Sequence, residues 1–218
     1  MNNFNRGISR GNAKFSIAWL FVVLLVFSTA RSLYAQTQLI NSDFELSDST
    51  NWLFSNNATT NQWVVGSAVA SSGTGSVYIS EDAGVTNSYN ITSATVSHIY
   101  TEVNFPAGQN AIVLSFDGKG IDEVSPSGGT TYDYLRISLD SLAPTNGILP
   151  SVMNQLPVVF CGQPGFEKTY VNIPASMAGK TMFLVFSFKC DAVIGTPTPG
   201  FAIDNILLKA KCLIPCLE

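Results

Sequence analysis

Charge and histidine are what this sequence has least of. Only 12% of its 218 residues are charged, against about a quarter in an ordinary soluble domain. That scarcity excludes a charge-rich disordered chain and a coiled coil. There is a single histidine, His98. A multi-histidine metal centre is therefore excluded, and any Ser-His-Asp arrangement has to use this residue. His98 lies within Val96-Ser97-His98-Ile99-Tyr100, an alternating segment, and the chain has no nucleophile elbow. Bases are outnumbered by acids, 11 to 15, which argues against a nucleic-acid surface. Gly118-Lys119-Gly120 lacks the spacing and the following helix of a phosphate loop.

Long apolar runs are also scarce. The one near the start, Phe15 to Phe27, follows Arg6, Arg10 and Lys14 and leads into Ser-Thr-Ala-Arg-Ser-Leu-Tyr-Ala-Gln. It is too short for a spanning helix, which needs about 20 apolar residues. A basic start, a short apolar run and a small-residue exit mark residues 1–35 as a secretory signal peptide, with cleavage expected after Ala35. Ala30 is the alternative, and an uncleaved N-terminal anchor is the competing reading. The rest of the chain keeps all 15 acids and seven of the 11 bases, a formal net charge of −8. The expected product is an acidic, exported protein without a membrane span.

After Ala35 no segment holds a 3.6-residue apolar period. Alternating segments recur between Gly, Pro, Asn and Ser clusters, the signature of strands. The expected strands are Gln38–Leu46, Gln62–Val65, Ser76–Ser80, Val96–Phe105, Ala111–Asp117, Thr131–Asp140, Phe166–Ile173, Thr181–Lys189 and Gly200–Lys209. In the eighth, Met182, Leu184, Phe186 and Phe188 share one face, which has to be core. Phe183 and Val185 on the other face call for partial cover. Nine such strands predict an all-β fold, a two-sheet antiparallel β-sandwich over residues 36–210. Residues 211–218 form a tail that reads as the start of a truncated module.

Cys161, Cys190, Cys212 and Cys216 would be exported, where disulfides persist. Cys212–Cys216 and Cys190–Cys212 are the favoured pairs, and unpaired buried thiols are the alternative.

The most chemically suggestive residues stand at the two ends. Asp43 and Glu45 flank Phe44 near the start, and Asp204 lies in Phe201-Ala202-Ile203-Asp204-Asn205-Ile206 near the finish. Simple alternation puts Asp204 on the apolar face of Ala202, Ile206 and Leu208, where a carboxylate needs a partner. If the first and last strands meet, Asp43, Glu45 and Asp204 would supply the hard oxygens that Ca²⁺ takes. The alternative is that Asp204 caps loop amides and the N-terminal acids are solvated.

The Asp-Phe-Glu opening with Trp52, and the Ala-Ile-Asp-Asn-Ile ending, resemble the bookends of MAM-type domains and of jelly-roll carbohydrate-binding modules. Gly75-Ser76-Val77-Tyr78-Ile79-Ser80, Asp82-Ala83-Gly84, Asn87-Ser88-Tyr89 and Tyr132-Asp133-Tyr134-Leu135-Arg136-Ile137 are similar to jelly-roll domains of large secreted Bacteroidetes surface proteins. Cys212-Leu213-Ile214-Pro215 resembles the start of a fibronectin type III repeat. The resemblance implies a cation, usually Ca²⁺, held by Asp43, Glu45 and Asp204. Asn205 stands where many relatives carry a second Asp.

Sugar binding needs aromatic platforms with polar neighbours. Trp52, Trp63, Tyr89, Tyr132 and Tyr134 are candidates, each with core packing as the competing role. Tyr132, Tyr134 and Arg136 share one strand face and form the expected ligand-binding stripe. Glycoside cleavage would need paired acids, for which Glu81, Asp82, Asp122 and Glu123 are the loop candidates. The expectation is a non-catalytic binding or adhesion module, secreted or at the cell surface. Its partner would be an extracellular glycan or a cell-surface protein. A purely structural domain of a cell-surface protein is the first alternative, and a glycoside-acting enzyme the second.

Overall fold

A computed structural model describes residues 36–45, 51–56, 60–123, 132–158, 163–193 and 200–212. The expected signal peptide at 1–35, most of the tail, Cys161 and Cys216 lie outside these residues. Ten strands are described: β1 (Gln36–Ser42), β2 (Leu53–Ser55), β3 (Gln62–Gly66), β4 (Ser76–Ser80) and β5 (Thr95–Asn104), then β6 (Ala111–Gly120), β7 (Tyr134–Asp140), β8 (Gln163–Ile173), β9 (Thr181–Cys190) and β10 (Ala202–Lys211). One sheet runs β3-β4-β10-β6-β8 with β1 also on β10, and the other runs β2-β5-β9-β7. Every strand pair is antiparallel. The chain is a two-sheet antiparallel β-sandwich, as the alternation predicts. Three-residue β2 is the strand the sequence does not announce, being too short for a periodic signal.

Alternation sorts each strand into a core face and an outer face. Leu184, Phe186 and Phe188 of β9 lie in the core with Leu114 and Phe116 of β6. Phe116 and Phe186 meet edge to face across the two sheets, centroids 5.7 Å apart at 87°, the geometry that ring quadrupoles prefer. Trp52 packs 6.0 Å from Phe186 and donates its Nε1–H to Ser42 Oγ at 3.0 Å. Trp63 is buried and donates to the Ser97 carbonyl at 3.3 Å. Tyr89 packs edge-on against Phe188. Three of the five candidate sugar platforms, Trp52, Trp63 and Tyr89, are therefore core residues.

The first and last strands do meet. β1 pairs with β10 along Gln36 to Ser42, and β4 takes the same edge of β10 at Ala202 and Ile203. Two departures from simple alternation correct the expected faces. The β10–β6 register shifts between Asp204 and Leu207, with Asn205 in the left-handed region at φ 51°. This bulge inserts one residue and reverses the parity: Phe201 and Ile203 point into the core before it, Ile206, Leu208 and Ala210 after it. Asp204 is thus on the outer face, away from Ile206 and Leu208. Likewise β1 stops at Ser42, short of the expected Leu46, and Phe44 has φ 55°. Asp43 and Glu45 leave the strand ladder there and share no strand face.

Cys190 and Cys212 are free thiols, so the expected Cys190–Cys212 link is not formed. Cys190 ends β9, opposite Thr95, in one sheet. Cys212 follows β10 in the other. The Cys190 Sγ–H points to the Asn90 and Ile91 carbonyls at 3.8 and 3.7 Å, and burial pushes the thiol pKa up to about 12. Cys216, the other half of the expected Cys212–Cys216 pair, lies outside the described residues.

Candidate functional site

The terminal acids are brought to one loop, and they hold it by its amides. Asp204, fully buried, accepts from the Ser71 and Ser72 N–H groups on Oδ2 at 2.9 and 3.2 Å, and from the Asn205 N–H on Oδ1 at 2.7 Å. Glu45 accepts from the Thr74 and Gly75 N–H groups on Oε1 at 2.7 and 3.0 Å, and from Thr74 Oγ1 on Oε2. Asp43 Oδ1 accepts from the Glu45 N–H at 3.1 Å. Gly73 lies between the two anchors at φ +63°, and a Cβ there would overlap Glu45 Oε1. The loop 71–75 is strapped down at both ends by carboxylates.

Beside Asp204, Asp117 accepts from Ser71 Oγ at 3.0 Å and Asn205 Nδ2 at 2.6 Å, and pairs with Lys168 at 2.7 Å. Burial raises the Asp204 pKa, and the amides only partly offset it. Burial also pushes Asp117 up, but Lys168, Asn205 and Ser71 outweigh it and the net shift is downward. Backbone N–H groups aimed at these carboxylates do the work a cation would otherwise do. Asp43, Glu45 and Asp204 do not form a converging oxygen group among the described residues. The carboxylate oxygens of Asp204 and Glu45 are engaged by backbone amides.

The outer face of the four-stranded sheet carries Tyr134 and Arg136. The guanidinium lies 4.3 Å from the Tyr134 ring centroid, with Lys189 Nζ at 5.3 Å. Arg136 also pairs with buried Asp122 at 2.7 Å. Tyr132 stands before the strand, its carbonyl accepting from Lys189 Nζ at 3.3 Å. The expected stripe is therefore a half-buried stack bound to itself. The middle of this face is closed by the segment 141–158, anchored by the Leu156 N–H on the Ile137 carbonyl and by a bridge of Gln155 to Ser138. Beneath it His98 Nδ1 is 2.9 Å from Ser187 Oγ, with both residues sealed from solvent. Burial lowers the His98 pKa, against the pull of the Thr145 and Ile148 carbonyls. A serine hydroxyl in that position has no access to a substrate.

Three of the four loop acids weighed for glycoside cleavage are engaged locally. Asp82 is held below its ordinary pKa by Thr86 and Ser80, Glu81 accepts from Ser88 Oγ, and Asp122 is on Arg136.

The outer face of the larger sheet is different. Tyr170 on β8 is 72% exposed. It lines an open groove of about 350 Å³ with Gln36, Ser115, Lys168, Leu207 and Lys209. Tyr170 and Leu207 both pair with Ser115, one on each side of β6. This residue was missed in the sequence. Its parity, opposite to that of buried Val171 and Ile173, is the signal that could have found it.

The sequence matches no protein-family model and no curated protein. Solved structures superpose on much of the chain. A Stig cyclase of Fischerella sp. TAU superposes with a TM-score of 0.50 at 13% identity, covering 83% of this chain and 100% of the cyclase. A family 22 xylan-binding domain of Paenibacillus barcinonensis gives 0.48 at 12% identity, covering 84% and 100%. A family 61 carbohydrate-binding module in complex with β-1,4-galactotriose gives 0.45 at 13% identity, covering 77% and 93%. At such identities the likeness to the cyclase is one of fold.

Proposed function

We propose that this protein is an exported, non-catalytic glycan-binding module that holds sugar on the outer face of its larger sheet. The observation that carries the reading is Tyr170: a solvent-facing ring in a shallow groove, ringed by an amide, a hydroxyl and two ammonium groups. A sugar ring offers an apolar face to stack on such a platform and hydroxyls to bond at its rim. The Tyr134–Arg136 stack is a poorer platform, because its cations already lie against the ring. The partner class is extracellular polysaccharide, in keeping with an N-terminal sequence of signal-peptide type.

Affinity gel electrophoresis in xylan, β-1,4-galactan and an acidic polysaccharide tests the reading. At least one polymer should retard the wild type, and Tyr170→Ala should lose about tenfold in affinity, some 1.4 kcal/mol, the scale of one aromatic stack. Tyr134→Ala should bind as the wild type does. No retardation by any polymer, or equal retardation of Tyr170→Ala, refutes it. The cover over the middle of the smaller sheet favours a second reading, a purely structural domain, and the first of those results would select it.

A further inference from the structure

A cluster of acids lies apart from both the loop clamp and the Tyr170 groove. Glu123 follows β6, Asp133 precedes β7 and Asp191 follows β9. One carboxylate oxygen from each lies within 4.8 Å of the others. The backbone frames them: the Glu123 N–H donates to the Asp133 carbonyl and the Tyr132 N–H to the Glu123 carbonyl, both at 2.8 Å. The Asp191 N–H donates to Asp133 Oδ1 at 3.0 Å, and the Val193 N–H to Asp191 Oδ1 at 2.9 Å. No base answers these charges among the described residues, whose ion pairs are Arg136–Asp122 and Lys168–Asp117.

A second observation singles out Asp133. Its side chain is fully buried, and its Oδ2 has no hydrogen-bond partner. Burial raises the Asp133 pKa and the Asp191 charge adds to it, and together they outweigh the Asp191 N–H, Cys190 and Tyr89, which lower it. Glu123 is raised as well, by burial and then by Asp133 and Asp191. A buried carboxylate oxygen with no donor beside two like charges is costly unless a cation neutralises it.

We infer that Glu123, Asp133 and Asp191 form a binding site for a single hard divalent cation of the Ca²⁺ type. Oxygens bound to one Ca²⁺ at about 2.4 Å lie at most about 4.8 Å apart, and the three oxygens here all fall within that limit. An all-oxygen donor set favours Ca²⁺ over softer metals, and Ca²⁺ accepts several protein carboxylates where Mg²⁺ retains its waters. The ion would tie together the segments that follow β6, precede β7 and follow β9.

The test is calorimetric titration of CaCl₂ into the full chain stripped with a chelator, repeated with excess Mg²⁺ present. The wild type should bind one Ca²⁺. Asp133→Asn and Glu123→Gln should each weaken that binding at least tenfold, and Glu45→Gln should leave it unchanged. Glu123 is only half-buried, so Glu123→Gln is the variant that decides if Asp133→Asn fails to fold. Absence of Ca²⁺ binding by the wild type, or binding within threefold of wild type in Glu123→Gln, overturns the site. Loss of binding in Glu45→Gln alone would move the ion to the chain ends and overturn it equally. None of these outcomes depends on glycan binding at Tyr170.

Discussion

Asp204 and Asp117 stand opposite each other across the β10–β6 ladder, and their acidities are driven in opposite directions. Asp204 is held by backbone amides, with no ion pair of its own among the described residues. Asp117 has Lys168 at 2.7 Å. The sharing of Ser71, by its N–H to one and its hydroxyl to the other, binds the pair to the same loop.

Asp204→Asn should destabilise the fold. An asparagine offers one oxygen where both carboxylate oxygens now accept, and sets its NH₂ against at least one backbone N–H. Leaving such a buried group unpaired costs about 1–3 kcal/mol. The urea midpoint should fall accordingly, and an unchanged midpoint would deny the clamp.

Asp117 carries a pH dependence of known sign. Its folded pKa lies below its ordinary 3.8, so the stability it contributes is present above 3.8 and is lost as the pH falls through the lowered value. Thermal melts should show Asp117→Asn less stable than the wild type at neutral pH. The gap should close on acidification below 3.8.

His98 acts at higher pH. Burial depresses its pKa from 6.5. The unfolded chain therefore takes up a proton before the folded one does, and stability declines as the pH drops from 6.5 toward the folded pKa. Urea titrations on either side of this window should show a loss in the wild type that His98→Gln largely lacks.

Gly73→Ala should cost about 1–2 kcal/mol for the left-handed backbone alone, plus the displacement of Glu45. In a double-mutant cycle with Glu45→Ala the two costs should fail to add, since removing the carboxylate removes the overlap.

Phe186→Ala should cost about 3–5 kcal/mol, because it empties the point where the two sheets meet through Phe116 and Trp52. A loss below 1 kcal/mol in urea unfolding would place the core contact elsewhere.

Much of the fold was legible because period-2 alternation survives in the long strands. Ser76–Ser80 was read to the residue, and the face of Leu184, Phe186 and Phe188 correctly. The meeting of the chain ends was legible too. What alternation could not carry was its own interruption: the left-handed Asn205 turned Asp204 off the face assigned to it, and Asp43 and Glu45 fall beyond the end of β1, beside the left-handed Phe44. The role of the loop 71–75 is not legible in the sequence, because amide donors leave no mark in side-chain patterns. Tyr170 is proposed on its exposure, whereas Arg136, expected to share a binding stripe with Tyr134, lies over its ring. The acids at 123, 133 and 191 are far apart in sequence, and only the ends of three strands bring them together.

The account turns on which face of the sandwich meets sugar. Chemical-shift mapping of the labelled protein, titrated with whichever oligosaccharide binds, reads this directly. The account predicts shifts at the amides of Tyr170, Ser115 and Leu207 and none at Tyr134 or Arg136. Shifts centred on Tyr134, or a spectrum that no sugar perturbs, would contradict it.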